Sequence, residues 1–249
     1  MKRLENKVAV ITGGNSGLGF AMAKAFKAEG AKLVITGRDQ EKLDMAAKEL
    51  GDEVLALQIE VSRLDDLDRL VRLTEKKFGS IDILIANAGG AVITPFDQVS
   101  ETYFDMEVGR NFKGTFFTVQ KALPLLKEGS SIILTSSIAN TKGMPGLSIY
   151  GSAKAAVRSL SRMLAAELAP KGIRVNTLTP GTFLTPGVER LGLPEEQLEQ
   201  VKEEFKRMIP MGRTGDPDEL ARAALFLASS DSTFMTGSEL VVDGGATQV

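Results

Sequence analysis

The 249-residue chain contains neither histidine nor cysteine. Their absence removes histidine-based triads, thiolate nucleophiles, iron–sulfur clusters and the usual zinc sites, and no metal ligand set is expected. Acid–base chemistry falls to Tyr, Lys, Asp or Glu. There are 2 tyrosines, Tyr103 and Tyr150, and Lys154 follows Tyr150 by four positions in Tyr150-Gly151-Ser152-Ala153-Lys154. On a helix, residues i and i+4 share one face. A phenol ionises near pH ~10, and a neighbouring ammonium favours the phenolate. Bringing it near neutrality needs about 3–4 kcal/mol, which a partly desolvated cation can supply and an exposed one cannot. Any helix can carry Tyr and Lys at this spacing, so the pair matters only if the fold sets it beside a ligand.

The elements around the pair alternate between apolar runs of strand length and longer helical patterns. Strands are expected at residues 8–12, 32–36, 54–57, 83–86, 131–135, 174–178 and 240–242. Helices are expected at 18–29, 41–50, 65–78, 101–126, 150–168, 195–208 and 217–228. Gly30, Gly79, Pro170 and Gly172 punctuate them. Continuous apolar strands between helices imply a parallel sheet covered on both faces. With no linker, repeat or low-complexity stretch, residues 1–249 read as one α/β domain. It is a Rossmann-type, doubly wound unit with a central parallel sheet of about seven strands.

Doubly wound sheets bind ligands outside the carboxyl ends of their strands. After the first strand comes Thr12-Gly13-Gly14-Asn15-Ser16-Gly17-Leu18-Gly19, a glycine-rich turn into a helix. Glycines allow the sharp turn and close approach that a pyrophosphate needs, and the helix N-terminus favours its charge. Its spacing is G-x-x-x-G-x-G rather than G-x-G-x-x-G. The fourth strand ends in Asn87-Ala88-Gly89, the fifth in Ser136-Ser137 and the sixth in Pro180-Gly181. Four strand ends therefore point to one crevice.

Apolar residues make up 43% of the chain and charged residues 25%, with a net charge of −2. Scattered basic residues give no electrostatic footprint for nucleic acid or an anionic membrane. No apolar run reaches the ~18 residues of a membrane span, and no signal peptide is read. The expectation is a soluble, cytoplasmic protein acting on a small molecule, with no nucleic-acid or membrane partner.

In sum, the sequence resembles the short-chain dehydrogenase/reductase family, in its branch of roughly 250-residue subunits. The glycine loop with Thr12, Asn87-Ala88-Gly89, Ser137, the Tyr150/Lys154 pair and Pro180-Gly181 occur in family order. The runs Ile209-Pro210-Met211-Gly212-Arg213 and Val242-Asp243-Gly244-Gly245 are also similar. The resemblance implies hydride transfer between a nicotinamide and a ketone/aldehyde or secondary alcohol, as in a carbonyl reductase. Tyr150 would be general acid in reduction and base in oxidation. Lys154 would hold the nicotinamide ribose and lower the Tyr150 pKa. Ser137 would bind the substrate oxygen. Asn111, before Gly114-Thr115-Phe116-Phe117, would anchor a water-linked proton relay to Lys154. Asn87 would hold the cofactor floor, and Thr185 would touch the nicotinamide amide or the phosphates. Gly13, Asn15, Ser16, Gly17, Leu18, Gly19, Ala88, Gly89, Pro180 and Gly181 would line the dinucleotide site, with Glu60-Val61 at the adenine. Relatives usually carry Asp where this chain has Glu60.

Cofactor choice is read just past the second strand, in Thr36-Gly37-Arg38-Asp39. NAD-preferring relatives carry an acidic residue at the position of Gly37, and Arg38 matches the NADP pattern. A guanidinium grips a phosphate bidentately. Asp39 competes, one residue further along. NADP(H) is therefore expected, with NAD(H) as the alternative. Residues 185–210 form the expected substrate-side segment, with Met144, Pro145, Phe183 and Leu191 as an apolar wall. Leu198, Val201, Phe205 and Met208 read as packing on the body. The resemblance also implies a homotetramer or homodimer through the helices at 101–126 and 150–168. A catalytically silent NADP(H)-binding sensor or scaffold is the competing reading. Enoyl reduction is disfavoured because that relative spaces Tyr and Lys further apart, and a sugar epimerase by chain length and loop spacing.

Overall fold

The computed structural model describes residues 2–184, 203–204 and 206–249. Seven parallel strands form one sheet in the order β3-β2-β1-β4-β5-β6-β7. They are β1 (Val8–Ile11), β2 (Lys32–Gly37), β3 (Val54–Gln58), β4 (Ile81–Ala86), β5 (Leu126–Thr135), β6 (Arg174–Pro180) and β7 (Glu239–Val242). The helices are α1 (Gly17–Ala28), α2 (Gln40–Leu50), α3 (Leu64–Phe78), α4 (Glu101–Val108), α5 (Gly114–Ala122), α6 (Ser148–Leu168) and α7 (Pro217–Ala228).

The alternation of side chains along each strand feeds two cores. Ala9, Ile11, Ile83, Ile85 and Ile133 pack with Met22, Phe26 and Leu220 on one face. Val10, Leu84, Ile132 and Leu134 pack with Leu67, Val119 and Val157 on the other. Both faces are buried, which is why the strands carry unbroken apolar runs. Local signals set the helix ends. Asp39 caps α2 by accepting from Lys42 N at 3.2 Å. At α7, Asp216 and Glu219 form a capping box around Pro217.

Two expected boundaries are corrected. The helix expected over 101–126 is broken: a π-helical turn, Gly109–Lys113, separates α4 from α5, and a 3-10 turn at Leu123–Leu125 containing Pro124 ends the run. Leu126 already belongs to β5, which begins five residues before the expected start at Ser131. Pro124 cannot donate the hydrogen bond that would continue the helix. Exposed Lys127, Glu128 and Gly129 hide the first half of the strand from a hydrophobic reading. Most of the helix expected over 195–208 lies outside the described residues; residues 203–204 and 206–207 are helical.

Strand order reverses direction at β1, whose neighbours are β2 on one side and β4 on the other. A crevice at their carboxyl ends follows from that topology.

Candidate active site

The crevice is a cleft of about 410 Å³. Thr12, buried at the end of β1, ties its two walls together. Its Oγ1 accepts from Asn87 N and Ala88 N, both at 3.0 Å, and Asn87 Nδ2 donates to Thr12 O at 3.0 Å. Asn87 is thus tied to the end of β1 through Thr12. The glycine loop turns through Gly13 and Gly17, both at positive φ. A Cβ at Gly19 would lie 2.1 Å from Gly13 O and 2.6 Å from Asn87 Nδ2, so only glycine lets α1 start this close to the loop. The N-cap of α1, Ser16, makes no side-chain capping bond among the described residues. First-turn N–H groups are thus left for an anionic ligand. Glycine loop, uncapped helix start and braced floor fit a dinucleotide pyrophosphate.

Gly13, Asn15, Ser16, Gly17, Leu18, Gly19, Arg38, Glu60, Val61, Asn87, Ala88, Gly89, Tyr150, Lys154, Pro180 and Gly181 all line this cleft. Thr185 lies outside the described residues, as do Leu191, Leu198, Val201 and Phe205. Ser137 and Asn111 are not in the lining; both stand behind or beside it. The lining also includes Ser136 and Thr36, which the sequence places at strand ends, and Ile59, Gly90, Arg110 and Thr135, which it does not single out. Phe183 lines the cleft while packing in the core against Gly215.

At the carboxyl end of β2, a Cβ on Gly37 would lie 2.3 Å from Asn15 Cγ. The space an acidic side chain would take at position 37 is filled by Asn15. Asp39 is engaged elsewhere, capping α2 and pairing with Lys42 Nζ at 2.6 Å. Hydrogen bonds from Lys42 hold its carboxyl below the usual aspartate range. Arg38 is exposed, with Nη1 3.8 Å from Glu60 Oε2. The other oxygen of Glu60 accepts from Ser62 N and Oγ. The carboxylate at position 60 is thus committed to Ser62 and Arg38.

At the other end, α6 brings Tyr150 and Lys154 into the same wall. Lys154 Nζ sits 5.7 Å from the Tyr150 ring centroid. Lys154 is buried and donates to Thr135 O at 2.8 Å. Burial pulls its pKa down to about 8, and the Glu107 carboxylate opposes that fall. Ser137 ends β5's extension into a 3-10 turn, which it caps by accepting from Ala139 N at 3.2 Å. Its hydroxyl acts against the rise in the Tyr150 pKa.

The direction of the Tyr150 shift departs from expectation. The spacing and the resemblance imply a lowered phenol pKa; in the protein alone it is raised. Desolvation is the largest cause, Ser137 opposes it, and the Glu107 charge adds to it. Removing a phenolate from water outweighs what neighbouring donors return.

Asn111 occupies the π-helical turn rather than a regular helix. Its amide clamps the Gly90 backbone, Oδ1 accepting from Gly90 N and Nδ2 donating to Gly90 O, both at 3.0 Å. π-turns recur at functional sites because they re-aim a side chain. A Cβ on Gly89 would lie 2.6 Å from Asn111 Oδ1 and 3.4 Å from Lys154 Nζ, so these two atoms converge beside that glycine. Behind them sits a residue the sequence reading passed over. Glu107 is 1% exposed and accepts from Asn111 Nδ2 at 3.2 Å. One signal could have found it: Glu107 and Asn111 are four apart and share a helical face.

Comparison with known proteins finds relatives that span nearly the whole chain. A family described as enoyl-(acyl carrier protein) reductase matches residues 13–247. An oxidoreductase from Sarocladium schorii, asL5, is 48% identical and covers 100% of this chain and 99% of its own. An NADP-dependent (R)-specific alcohol dehydrogenase from Lentilactobacillus kefiri is 38% identical, over 98% of each chain. An NAD-dependent glycerol dehydrogenase from Listeria innocua is 35% identical, over 98% of this chain and 95% of its own. A short-chain dehydrogenase/reductase crystal structure from Brucella melitensis superposes with a TM-score of 0.93 at 37% identity, covering 100% of both chains. The chain belongs to the short-chain dehydrogenase/reductase family of nicotinamide-dependent oxidoreductases.

Proposed function

We propose that the protein is an NADP(H)-dependent oxidoreductase that interconverts a ketone or aldehyde and its alcohol, with Tyr150 as general acid in reduction and general base in oxidation. One observation carries this reading: Tyr150 and Lys154 meet in the wall of the glycine-loop cleft, with Nζ 5.7 Å from the ring centroid. The glycine loop, the Asn87–Gly89 turn, Pro180, Gly181 and Lys154 would hold the dinucleotide, which when bound supplies or accepts the hydride.

The chain's own residues do the rest. Burial keeps the Tyr150 phenol protonated at neutral pH, ready to donate to a carbonyl oxygen as charge develops there. The Ser137 hydroxyl, close enough to act on that phenol, donates to the same oxygen. Lys154 keeps a cation behind the phenol and stabilises the phenolate left after proton transfer. Asn111 Oδ1 and Lys154 Nζ converge beside Gly89, a geometry suited to passing that proton on through a solvent molecule.

NADP(H) is assigned over NAD(H) from three residues. Asn15 fills the space beside Gly37, Asp39 is held by α2, and Arg38 is exposed at the adenosine end. The kefir relative's NADP dependence fits this reading, and the Listeria relative's NAD dependence shows that choice varies across the family. The four-residue spacing of Tyr150 and Lys154 favours carbonyl over enoyl substrates. Self-assembly belongs to the same reading. Phe96, Phe104, Val108, Phe112 and Ile149 line an apolar depression of about 340 Å³ over α4 and α6, a surface suited to a second copy. Light scattering on the purified protein should give a tetramer or dimer; a monomer removes that part.

The decisive assay follows NADPH consumption across ketones, aldehydes and an enoyl thioester, with wild type and Tyr150→Phe. Turnover of carbonyls by wild type, lost at least about a hundredfold in the variant, is expected. Tight NADPH binding without turnover on any compound would favour a silent sensor instead.

A further inference from the structure

Lys154 is a buried cation, and its most direct neighbour, the Thr135 carbonyl, carries no net charge. A buried ammonium is stable only when something compensates it. Of the groups acting on Lys154, one is anionic, and it is Glu107.

Glu107 is an unusual residue to find where it is. It lies on α4 with 1% of its surface exposed. Its Oε2 accepts from Asn111 Nδ2 at 3.2 Å, and the same Nδ2 donates to Glu107 O at 3.1 Å. Its Oε1 has no hydrogen-bond partner among the described residues and stands 3.8 Å from Arg110 Nη1. The residue also borders a cavity of about 10 Å³, room for a single water, together with Tyr103 and Tyr150. A buried carboxylate held this loosely costs stability unless its charge is used.

We propose that Glu107 is a positioning residue for proton transfer: its carboxylate is the fixed counter-charge that keeps Lys154 an ammonium, and it orients the Asn111 amide that faces Lys154. This rests on the functional reading above, since it assigns Lys154 a charged role. Each link is short. Glu107 holds Asn111, Asn111 holds Gly90, and Asn111 Oδ1 and Lys154 Nζ meet beside Gly89. The charged and titratable groups acting on this cluster are Arg110 from the π-helical turn, Tyr103 from α4, and Tyr150 and Lys154 from α6. Arg110 Nη1 lies 3.8 Å from Oε1, beyond hydrogen-bond distance, and acts on the carboxylate more strongly than Lys154 does. Burial raises the Glu107 pKa, and Arg110, Asn111 and Lys154 act against that rise.

The test reads Lys154 directly. The full-length protein, labelled with ¹³C-lysine, is titrated by NMR, with the Lys154 signal assigned by its loss in Lys154→Met. The wild-type midpoint should fall near 8. In Glu107→Gln the proton affinity of Lys154 should drop about tenfold. An unchanged midpoint in folded Glu107→Gln overturns the proposal. A second measurement needs no destabilised variant. In wild type, the Glu107 carboxyl carbon, assigned with Glu107→Asp, should show an inflection near pH 8 as Lys154 loses its proton; no inflection also overturns it. In parallel, the pH at which kcat/KM for ketone reduction changes should move down in Glu107→Gln and stay near the wild-type value in Glu107→Asp. A Tyr150→Phe variant that keeps full turnover would sink the functional reading while the NMR titrations still decide the role of Glu107. A dead Tyr150→Phe with an unmoved Lys154 midpoint would sink the Glu107 assignment alone.

Discussion

Replacing Lys154 with methionine should stabilise the folded protein at neutral pH while abolishing turnover. An unfolded lysine ionises near 10.5, and the folded one near about 8. Below pH 8 the residue is charged in both states, and the folded state carries the full cost of a desolvated ammonium. That difference corresponds to about 3 kcal/mol. Between 8 and 10.5 the folded protein releases the proton first, so the unfolded state binds more protons and stability rises with pH. Above both values the cost is gone.

Methionine matches the length of the lysine stem and needs no hydration. Two losses offset its gain. The hydrogen bond to Thr135 O disappears, costing about 1 kcal/mol. Glu107 loses the Lys154 cation and keeps Arg110 at 3.8 Å and the Asn111 hydrogen bond. The net gain for Lys154→Met should be about 1–2 kcal/mol at pH 7, shrinking towards zero or below as pH approaches 10.5. Urea unfolding of wild type and variant at pH 7, 8.5 and 10, with NADPH turnover measured alongside, checks this. A variant less stable than wild type at pH 7, or a stability difference that ignores pH, would refute the reasoning.

Three further changes probe other parts of the structure. Arg38→Asp should weaken NADPH by about tenfold to a hundredfold, the worth of a charge-assisted phosphate contact, with little change for NADH; equal cofactor kinetics in the two proteins would count against Arg38. Gly19→Ala places a methyl 2.1 Å from Gly13 O and should cost at least about tenfold in NADPH affinity by fluorescence titration, with the far-UV CD spectrum retained. Asp216→Ala removes the capping box of α7 and should lower stability by about 1 kcal/mol in urea unfolding without moving KM for NADPH, because Asp216 does not line the cleft.

The limits of what the sequence discloses follow from which forces are local. The four strand ends were readable because a parallel sheet buries both faces, so each strand is an apolar run and the polar residues after it stand out. Tyr150 and Lys154 were readable because helical spacing is geometry. The direction of the Tyr150 shift was not, because it depends on how much water the fold removes. The first half of β5 was hidden because Lys127, Glu128 and Gly129 are exposed although they belong to the strand. Glu107 was hidden for the opposite reason: amphipathic patterning assigns a glutamate to solvent, whereas here it is buried and bonded to the Asn111 amide that clamps Gly90.

That clamp also explains the π-helical turn. A regular helix through Gly109, Asn111 and Gly114 would satisfy its own backbone and leave the asparagine amide free to rotate on the surface. Opening the turn at Gly109–Lys113 lets Asn111 reach the Gly90 backbone with both ends of its amide. It also sets Glu107, one turn earlier, beneath that amide. The weak helix formers at 109, 111 and 114 are thus the sequence's side of the arrangement, since a stretch of alanine or leucine would resist the extra residue per turn. Substituting Gly109 by alanine without touching Glu107 or Asn111 should therefore loosen the same coupling. Its expected mark is a Lys154 midpoint lower than in wild type, in a protein whose dinucleotide affinity is unchanged.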